Sequence, residues 1–249
     1  MNWVKTFYTS QNDWFGIYLG AVEDSHHERA ALVEAMLPQA NQKILELGAG
    51  GGQTAIALAM LGHEVTMIEL LEESAKYAQL LSDKMDVPVR VIQGDFYEEN
   101  FEPIFDTVCY FDSFGIGTDA DQRRLLQRIA SWLKPTGKAL IEVGSSTYWG
   151  GIAKGKTMDL GDGIRQYDFD VTEARLIDRW WRKSAPEEVV YQSLRCYTPA
   201  DLALLLEGTG LRIVQIQAGG MVDYEAMEFI PSATIQEAMT YYALLEKNT

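Results

Sequence analysis

The segment KILELGAGGGQTAIALAMLG, residues 43–62, carries the strongest structural signal of the sequence. A short apolar run ends in four glycines within five positions, and an alanine-rich segment of helical character follows. Glycine costs conformational entropy, so such a cluster indicates a backbone that turns sharply or that a ligand approaches closely. One glycine would indicate only a tight turn between a strand and a helix. Gly48, Gly50, Gly51 and Gly52 together favour a ligand.

Strand and helix signals alternate from Asn41 to Val143. The strand signals are KILELG, HEVTMIEL, VPVRVIQGD, FDTVCYFDSFG and GKALIEV, and the helix signals are QTAIALAMLG, LEESAKYAQLLSDKM and DADQRRLLQRIASWLK. Strands separated by helical segments of this length imply right-handed crossovers and a parallel, doubly wound α/β sheet. Ligands of such sheets bind at the carboxyl ends of the strands, which is where the glycines lie.

The composition describes a globular chain with a strongly acidic surface. Of its 249 residues, 47% are hydrophobic and 23% are charged, which suits one large domain or a domain with an embedded cap. The net charge is −15, since 21 Lys and Arg face 36 Asp and Glu. This charge repels nucleic-acid phosphates, and no basic stripe compensates for it. We therefore predict a small-molecule partner, neutral or cationic, and no nucleic acid.

Several sequence features predict a cytoplasmic protein. No apolar stretch reaches the roughly 20 residues that span a bilayer, and MNWVKTFYTSQNDWF resembles neither a signal peptide nor a transit peptide. Cys109 and Cys196 stand in strand contexts, which favours burial as small hydrophobic residues over a redox or metal role. No metal-binding cluster stands out, and we expect no membrane partner.

The glycine pattern leaves more than one cofactor open. A dinucleotide fold requires G-x-G-x-x-G, but Gln53 stands at the last glycine. A P-loop requires Gly-Lys-Ser/Thr, which is absent. An NAD(P)-dependent oxidoreductase or epimerase remains an alternative, as does a non-catalytic nucleotide-binding module on the same fold.

Four motifs in order over residues 43–143 resemble those of class I S-adenosylmethionine-dependent methyltransferases of small molecules. They are LELGAGGG, VTMIE, VIQGDF, and FDTVCYFDSFG followed by LLQRIASWLKPTGKALIEV. Thr136 replaces the first glycine of the family's L-K-P-G-G turn, which is a mild departure. The later segment YTPADLALLLEGTGLRIVQI is also similar to the family. The resemblance implies a mostly parallel, seven-stranded Rossmann-like sheet with an inserted antiparallel cap.

The resemblance also implies a cofactor site. Glu46 would fix the glycine turn or reach the cofactor's amino group, and Glu69 would accept hydrogen bonds from both ribose hydroxyls. Asp95 would accept from the adenine amino group. A solvated loop carboxylate or a helix cap is the alternative for Glu69 and Asp95. The full cofactor set is Glu46, Gly48, Ala49, Gly50, Glu69, Leu70, Asp95, Phe96 and Phe111.

The chain after Val143 changes pattern. GSSTYWGGIAKGKTMDLGDG is glycine-rich and predicts a loop or flap. IRQYDFDVTEARLIDRWW and EEVVYQSLRCYT predict paired antiparallel strands of a cap. TPADLALLLEGTG predicts a helix with Thr198 as N-cap, LRIVQIQAGG a strand, EAMEFIP a possible last strand, and SATIQEAMTYYALLEK a closing helix. We predict one domain, with residues 1–40 as a helical lid, 41–143 as the cofactor half, 144–197 as flap and hairpin, and 198–249 as the remaining helix and strands.

The acceptor should bind between the lid and the flap. Aromatic residues there would line an apolar pocket and attract cations, although core packing is the alternative. The predicted substrate residues are Trp14, Tyr18, Ser113, Tyr148 and Trp149. In-line methyl transfer mainly requires alignment of donor and acceptor, and a general base helps only if the acceptor loses a proton. Asp112, at the end of the fourth strand, is the predicted catalytic residue, with backbone capping as the alternative. We expect a surface role for His63.

Overall fold

The structure is a computed structural model that describes residues 2–248, so the predicted domain limits Met1 and Thr249 lie outside it. The helices are α1 (Asn2–Phe15), α2 (Asp24–Met36), α3 (Gln53–Met60), α4 (Glu72–Met85), α5 (Asp119–Trp132), α6 (Pro199–Leu206) and a π-helical segment (Tyr148–Ala153). The strands are β1 (Lys43–Leu47), β2 (Glu64–Glu69), β3 (Val89–Gln93), β4 (Phe105–Phe114), β5 (Leu133–Gly144), β6 (Thr157–Asp159), β7 (Gly163–Asp170), β8 (Arg175–Arg182), β9 (Ala185–Arg195), β10 (Leu211–Ala218), β11 (Met221–Asp223), β12 (Glu228–Ile230) and β13 (Thr240–Lys247).

A central sheet of seven strands has the order β10-β13-β5-β4-β1-β2-β3. Strands β1 to β5 pair in parallel, and β13 is antiparallel to both of its neighbours. Helices α2, α3 and α4 contribute to the apolar core on one face, and α5 and α6 contribute to the core on the other. The predicted doubly wound, mostly parallel, seven-stranded sheet is thus confirmed.

The predicted closing helix in SATIQEAMTYYALLEK is wrong, because Thr240–Lys247 is the strand β13. This strand lies between β5 and β10, and an apolar cluster covers each of its two faces. Tyr241 contributes to the core on one face, and Tyr242 packs against the core on the other. A strand buried on both faces has a nearly continuous apolar run, which a short sequence window does not distinguish from a helix.

The inserted cap is a four-stranded antiparallel sheet of order β6-β7-β8-β9. The segment IRQYDFDVTEARLIDRWW holds two of these strands, joined by a turn in which the Asp170 carboxylate accepts hydrogen bonds from Thr172 N (2.8 Å) and Glu173 N (3.2 Å). The predicted loop over residues 144–163 is partly wrong, since it contains the π-helical segment and β6. Cap, flap and Val4 of α1 share a third apolar cluster.

Two local predictions have opposite outcomes. Thr198 caps α6 as predicted, since its hydroxyl accepts from Asp201 N at 3.1 Å and Asp201 reciprocates. The surface role expected for His63 is wrong, because the ring is buried, accepts a hydrogen bond from Gln42 N at 3.1 Å and lies 2.8 Å from a Glu34 oxygen. Within residues 2–248 no helix has the length and apolar character to cross a bilayer.

Candidate functional site

A cavity of about 670 Å³ opens at the carboxyl ends of β1 to β5. Helices α1 and α2 and the inner face of the cap complete its wall. Of the predicted cofactor and catalytic residues, all ten line this one cavity. They are Glu46, Gly48, Ala49, Gly50, Glu69, Leu70, Asp95, Phe96, Phe111 and Asp112.

The glycine turn after β1 needs its glycines partly for the chain's own packing. Gly50 has φ +55°, and a Cβ there would lie 2.9 Å from a ring carbon of Tyr18. At Gly51 a Cβ would lie 1.9 Å from the Tyr18 carbonyl oxygen. Close approach therefore comes from the segment after α1, which folds over the turn. The glycines alone therefore do not indicate a ligand, and the carboxylates around the turn are the stronger indication.

Glu69 joins the end of β2 to this turn. One carboxylate oxygen accepts from Gly50 N at 2.8 Å, and the other accepts from Leu71 N at 2.7 Å. Burial raises the pKa of the Glu69 carboxyl, and these backbone hydrogen bonds oppose that shift. Each carboxylate oxygen has a second lone pair, so Glu69 can hold the turn and also accept hydrogen bonds from a ligand.

Glu46, at the end of β1, is the least satisfied charged group of the cavity wall. The residue is 3% exposed, and its Oε2 atom is buried without a hydrogen-bond partner among the described residues. Burial raises the pKa of the carboxyl to about 8, and the charge of Arg29 opposes this shift. An unpaired polar atom at such a depth is costly. A donor from a bound molecule would remove that cost.

Asp95 and Phe96 follow β3 on the same wall. The Asp95 carboxylate accepts from Tyr97 N at 2.9 Å, and its exposed second oxygen stays available. The Phe96 ring packs edge-on against Tyr110, with ring centroids 5.5 Å apart. Glu69 and Asp95 thus border one cavity, as the central prediction from the sequence required.

Asp112, at the end of β4, belongs to an ionic cluster that the sequence did not reveal. Its side chain is 67% exposed and lies 3.1 Å from the Arg29 guanidinium, which also lies 3.6 Å from Glu142. The buried Glu142 accepts from Asp112 N at 3.2 Å and from the Thr240 hydroxyl at 2.9 Å. Burial and the charge of Asp112 raise the pKa of Glu142, while Arg29 opposes the shift.

A signal for Glu142 existed, since it is the one acidic residue in the apolar strand segment GKALIEV. Arg29 lies in a helix with no distinguishing pattern, so the sequence offered no comparable signal for it. The Asp112 residue itself has φ +62°, a conformation that only glycine, asparagine and aspartate adopt readily.

The lid and the cap form the side of the cavity where the sequence predicts acceptor binding. The Tyr8 hydroxyl lies 3.3 Å from Ser113 Oγ and donates to Gln192 Oε1 at 3.2 Å. Tyr18 and Trp149 also line the cavity. Tyr8, like Arg29, was not among the predicted site residues.

Two predicted substrate residues are not among those that line the cavity. Tyr148 is fully buried in the cap cluster, where its hydroxyl donates to Val222 O at 3.3 Å. Trp14 packs against Phe15 and lies under the Arg182 guanidinium, 5.2 Å from the ring centroid. For this pair the structure supports the alternative of packing. Within the described chain no three His, Cys, Asp or Glu side chains group as metal ligands would.

The doubly wound sheet, the glycine turn and the carboxylates near the ends of β1, β2 and β4 form a cavity at the place where the resemblance to class I methyltransferases predicts the cofactor. Residues 44–137 match the family model described as a methyltransferase domain. Over this segment the chain is similar to a methyltransferase domain.

One relative in sequence is the cypemycin N-terminal methyltransferase of a Streptomyces species. It is 29% identical over 136 residues, which are 53% of this chain and 55% of the relative. The chain thus spans about half the length of the curated relatives it matches.

Two solved structures share the fold. The CcbJ methyltransferase from Streptomyces caelestis has a TM-score of 0.73 at 20% identity, covering 96% of both chains. The 1,6-didemethyltoxoflavin-N1-methyltransferase of Burkholderia thailandensis, solved with 1,6-didemethyltoxoflavin and S-adenosylhomocysteine, has a TM-score of 0.60 at 19% identity, covering 100% of this chain and 86% of that one.

Proposed function

We propose that this protein is an S-adenosylmethionine-dependent methyltransferase that transfers a methyl group to a small molecule. The observation that carries the proposal is the buried, unpartnered Oε2 of Glu46 on the wall of the cavity. The cofactor's ammonium group is a donor of the right charge for that oxygen.

The residues of the cavity fit the rest of the cofactor. Glu69 has free lone pairs for the two ribose hydroxyls, and Asp95 has an exposed carboxylate oxygen for the adenine amino group. Phe96 supplies an apolar ring for the base. When bound, S-adenosylmethionine supplies a methyl carbon that is activated by positive sulfur. The protein then needs chiefly to orient donor and acceptor and to exclude water.

The charge of the cavity distinguishes this cofactor from a dinucleotide. Its wall carries five carboxylates, which belong to Glu46, Glu69, Asp95, Asp112 and Glu142. The basic residues of the wall are Lys5, Arg29 and Arg165, besides the single histidine His26. A wall with more acidic than basic groups favours a ligand that carries a sulfonium and an ammonium over one that carries a pyrophosphate. The alternative of an NAD(P)-dependent enzyme is therefore the weaker one.

Asp112 remains the proposed catalytic residue. Its carboxylate contacts Arg29, and among the described residues it accepts no hydrogen bond from the backbone, so the alternative of backbone capping finds no support. On an acceptor that loses a proton, the exposed carboxylate of Asp112 would take that proton. Arg29 would hold the carboxylate in place.

The partner assignment is also part of the proposal. A net charge of −15 disfavours nucleic acid, and a structural neighbour solved with a small heterocycle supports a small-molecule acceptor. We further propose that the chain acts as one methyltransferase domain in the cytoplasm, with α1 and α2 as lid and β6 to β9 as the inserted cap.

Isothermal titration with S-adenosylhomocysteine tests the proposal. We expect binding in the micromolar range and at least about tenfold weaker binding to Glu69→Gln, because the amide cannot replace a charged acceptor of several hydrogen bonds. Glu64→Gln is the matched control, since Glu64 begins the same strand, is exposed and pairs with Lys43 at 3.3 Å. No heat and no thermal shift with the wild-type protein would refute the proposal, and enhanced NADH fluorescence would favour the dinucleotide alternative.

A further inference from the structure

The inner face of the cap presents a buried ion pair to the cavity. Asp178 on β8 is fully buried and accepts two hydrogen bonds from Arg165 on β7, from Nε and Nη2, each at 2.9 Å. Trp180 Nε1 and Gln192 Nε2 also donate to this carboxylate, both at 2.9 Å. Every polar neighbour of Asp178 is therefore a donor, and the carboxylate is fully satisfied.

This arrangement fixes the Arg165 side chain in one position. Its guanidinium carbon lies 4.7 Å from the ring centroid of Tyr167 and 4.8 Å from that of Trp180. A bidentate contact with Asp178 and two aromatic neighbours leave the side chain little rotational freedom. Buried ion pairs add little net stability compared with apolar residues of similar volume. A rigid cation on a cavity wall is better explained by recognition.

One edge of this guanidinium is free. Arg165 lines the cavity and its side chain is 27% exposed. Among residues 2–248, this side chain donates hydrogen bonds only from Nε and Nη2, and Nη1 donates none. Nη1 carries two N–H donors, so the cap holds a preorganised donor without a protein acceptor.

A different cation is available for the cofactor's carboxylate. The cofactor's carboxylate and ammonium are attached to the same carbon, so the carboxylate must lie near Glu46 if the ammonium binds there. Arg29 is the cation whose charge acts on Glu46, and it lies over the Phe111 ring, 5.0 Å from the centroid. Arg165 contacts residues of the cap and is left for the acceptor.

We propose that Arg165 is a specificity-determining residue that binds a neutral carbonyl-type oxygen of a planar, aromatic methyl acceptor through Nη1. The acceptor must supply a hydrogen-bond acceptor for a donor that is otherwise unpaired. A neutral oxygen suits the site better than a carboxylate, because Asp178 already neutralises Arg165 and five further carboxylates line the cavity. The aromatic and aliphatic side chains of the same wall suit a planar apolar body; they are Tyr8, Trp149, Leu176, Trp180 and Leu194.

This inference rests on the proposed function, and three matched phenols test it on protein saturated with S-adenosylhomocysteine. They are 4-hydroxyacetophenone, with a neutral carbonyl, 4-ethylphenol, with no such oxygen, and 4-hydroxybenzoate, with a carboxylate. We expect ligand-observed NMR titration to show that the ketone binds about tenfold tighter than the other two.

The variants then assign the preference to Arg165. Arg165→Lys keeps a positive charge beside Asp178 but removes Nη1, and the ketone should lose its advantage. The double variant Arg165→Met/Asp178→Asn removes both charges together, so it leaves no buried charge unpaired. It serves as the second test protein if the single variant is unstable. Arg179→Lys is the control, because Arg179 lies on the same cap sheet, pairs with Asp168 at 3.3 Å and does not line the cavity.

Several results would overturn the inference. One is equal binding of 4-hydroxyacetophenone and 4-ethylphenol, which includes the case that neither binds. A second is tighter binding of 4-hydroxybenzoate than of the ketone. A third is a preference for the ketone that persists in both Arg165 variants. Weaker binding of S-adenosylhomocysteine to these variants would reassign Arg165 to the cofactor. Failure of the wild-type protein to bind S-adenosylhomocysteine at all would refute the proposed function instead, so the two failures are distinguishable.

Discussion

Replacement of Glu46 by glutamine should remove a pH dependence of cofactor binding. With a pKa of about 8, raised by burial, Glu46 is protonated in most ligand-free molecules at neutral pH. An ammonium ligand binds the ionised form, so binding releases a proton and becomes tighter as the pH rises. The ionised fraction is about 1% at pH 6 and about 24% at pH 7.5, which predicts about 25-fold tighter binding over this interval.

Titration calorimetry with S-adenosylhomocysteine, repeated in two buffers of different ionisation enthalpy, measures both the affinity and the released proton. We expect Glu46→Gln to bind with an affinity that is nearly constant over the same interval and to release no proton. Glu64→Gln, with its exposed carboxylate, should retain the wild-type slope. A wild-type affinity that does not change with pH, or an equal slope in Glu46→Gln, would refute the reasoning.

The same substitution has a second consequence for stability. The folded-state pKa of Glu46 lies above the ordinary value of 4.5, so the folded protein binds the proton more tightly than the unfolded chain. The tighter proton binding by Glu46 adds to the free energy of unfolding. The added free energy is complete below about pH 4.5 and is lost as the pH rises to about 8. Glu46→Gln should therefore be more stable than the wild-type protein at pH 8, by up to about 5 kcal/mol, in urea denaturation. A less stable variant would show that Glu46 has a partner in the free protein.

Three further substitutions test the rest of the site. Asp112→Asn keeps a residue that tolerates φ +62° and should lower methyl transfer to an acceptor that loses a proton by about 100-fold. Mass spectrometry with a labelled methyl group measures this transfer, and the affinity for S-adenosylhomocysteine should stay within about threefold of the wild-type value. An unchanged rate of transfer would show that Asp112 takes no part in the chemistry. Gly50→Ala places a Cβ 2.9 Å from the Tyr18 ring at φ +55°. The substitution should lower the free energy of unfolding by about 1 to 3 kcal/mol in urea denaturation. Unchanged stability would mean that Tyr18 moves freely. Tyr148→Phe removes the hydrogen bonds with Val222 and should lower the free energy of unfolding by about 1 kcal/mol without changing cofactor affinity. Weaker cofactor binding would show that Tyr148 belongs to the binding site.

The part of the site that the sequence predicted is the part built on periodic elements. Glu46 and Glu69 end strands that pair directly and in parallel, so their position at one sheet edge follows from strand order alone. Asp95 follows the next strand in that order, and Asp112 lies near the end of the strand on the other side of β1. Short-range hydrophobic patterns are sufficient to predict such an edge.

The parts that the sequence did not predict depend on long-range packing. Arg29 and Tyr8 lie on helices and contact side chains of β4 and β9, which are far along the chain. Strand β13 looked helical because its apolar run is explained only by the core clusters on both sides of the central sheet. Tyr148 and Trp14 were assigned to the pocket because aromatic composition does not indicate which face of an element a ring occupies.

A crystal structure of the complex with S-adenosylhomocysteine is the most direct test of the central claim. We expect the ligand's amino nitrogen within hydrogen-bond distance of Glu46 Oε2, the ribose hydroxyls on the Glu69 carboxylate and the adenine beside Asp95 and Phe96. Density for the ligand at any other place, or Glu46 left without a partner in the occupied cavity, would contradict it.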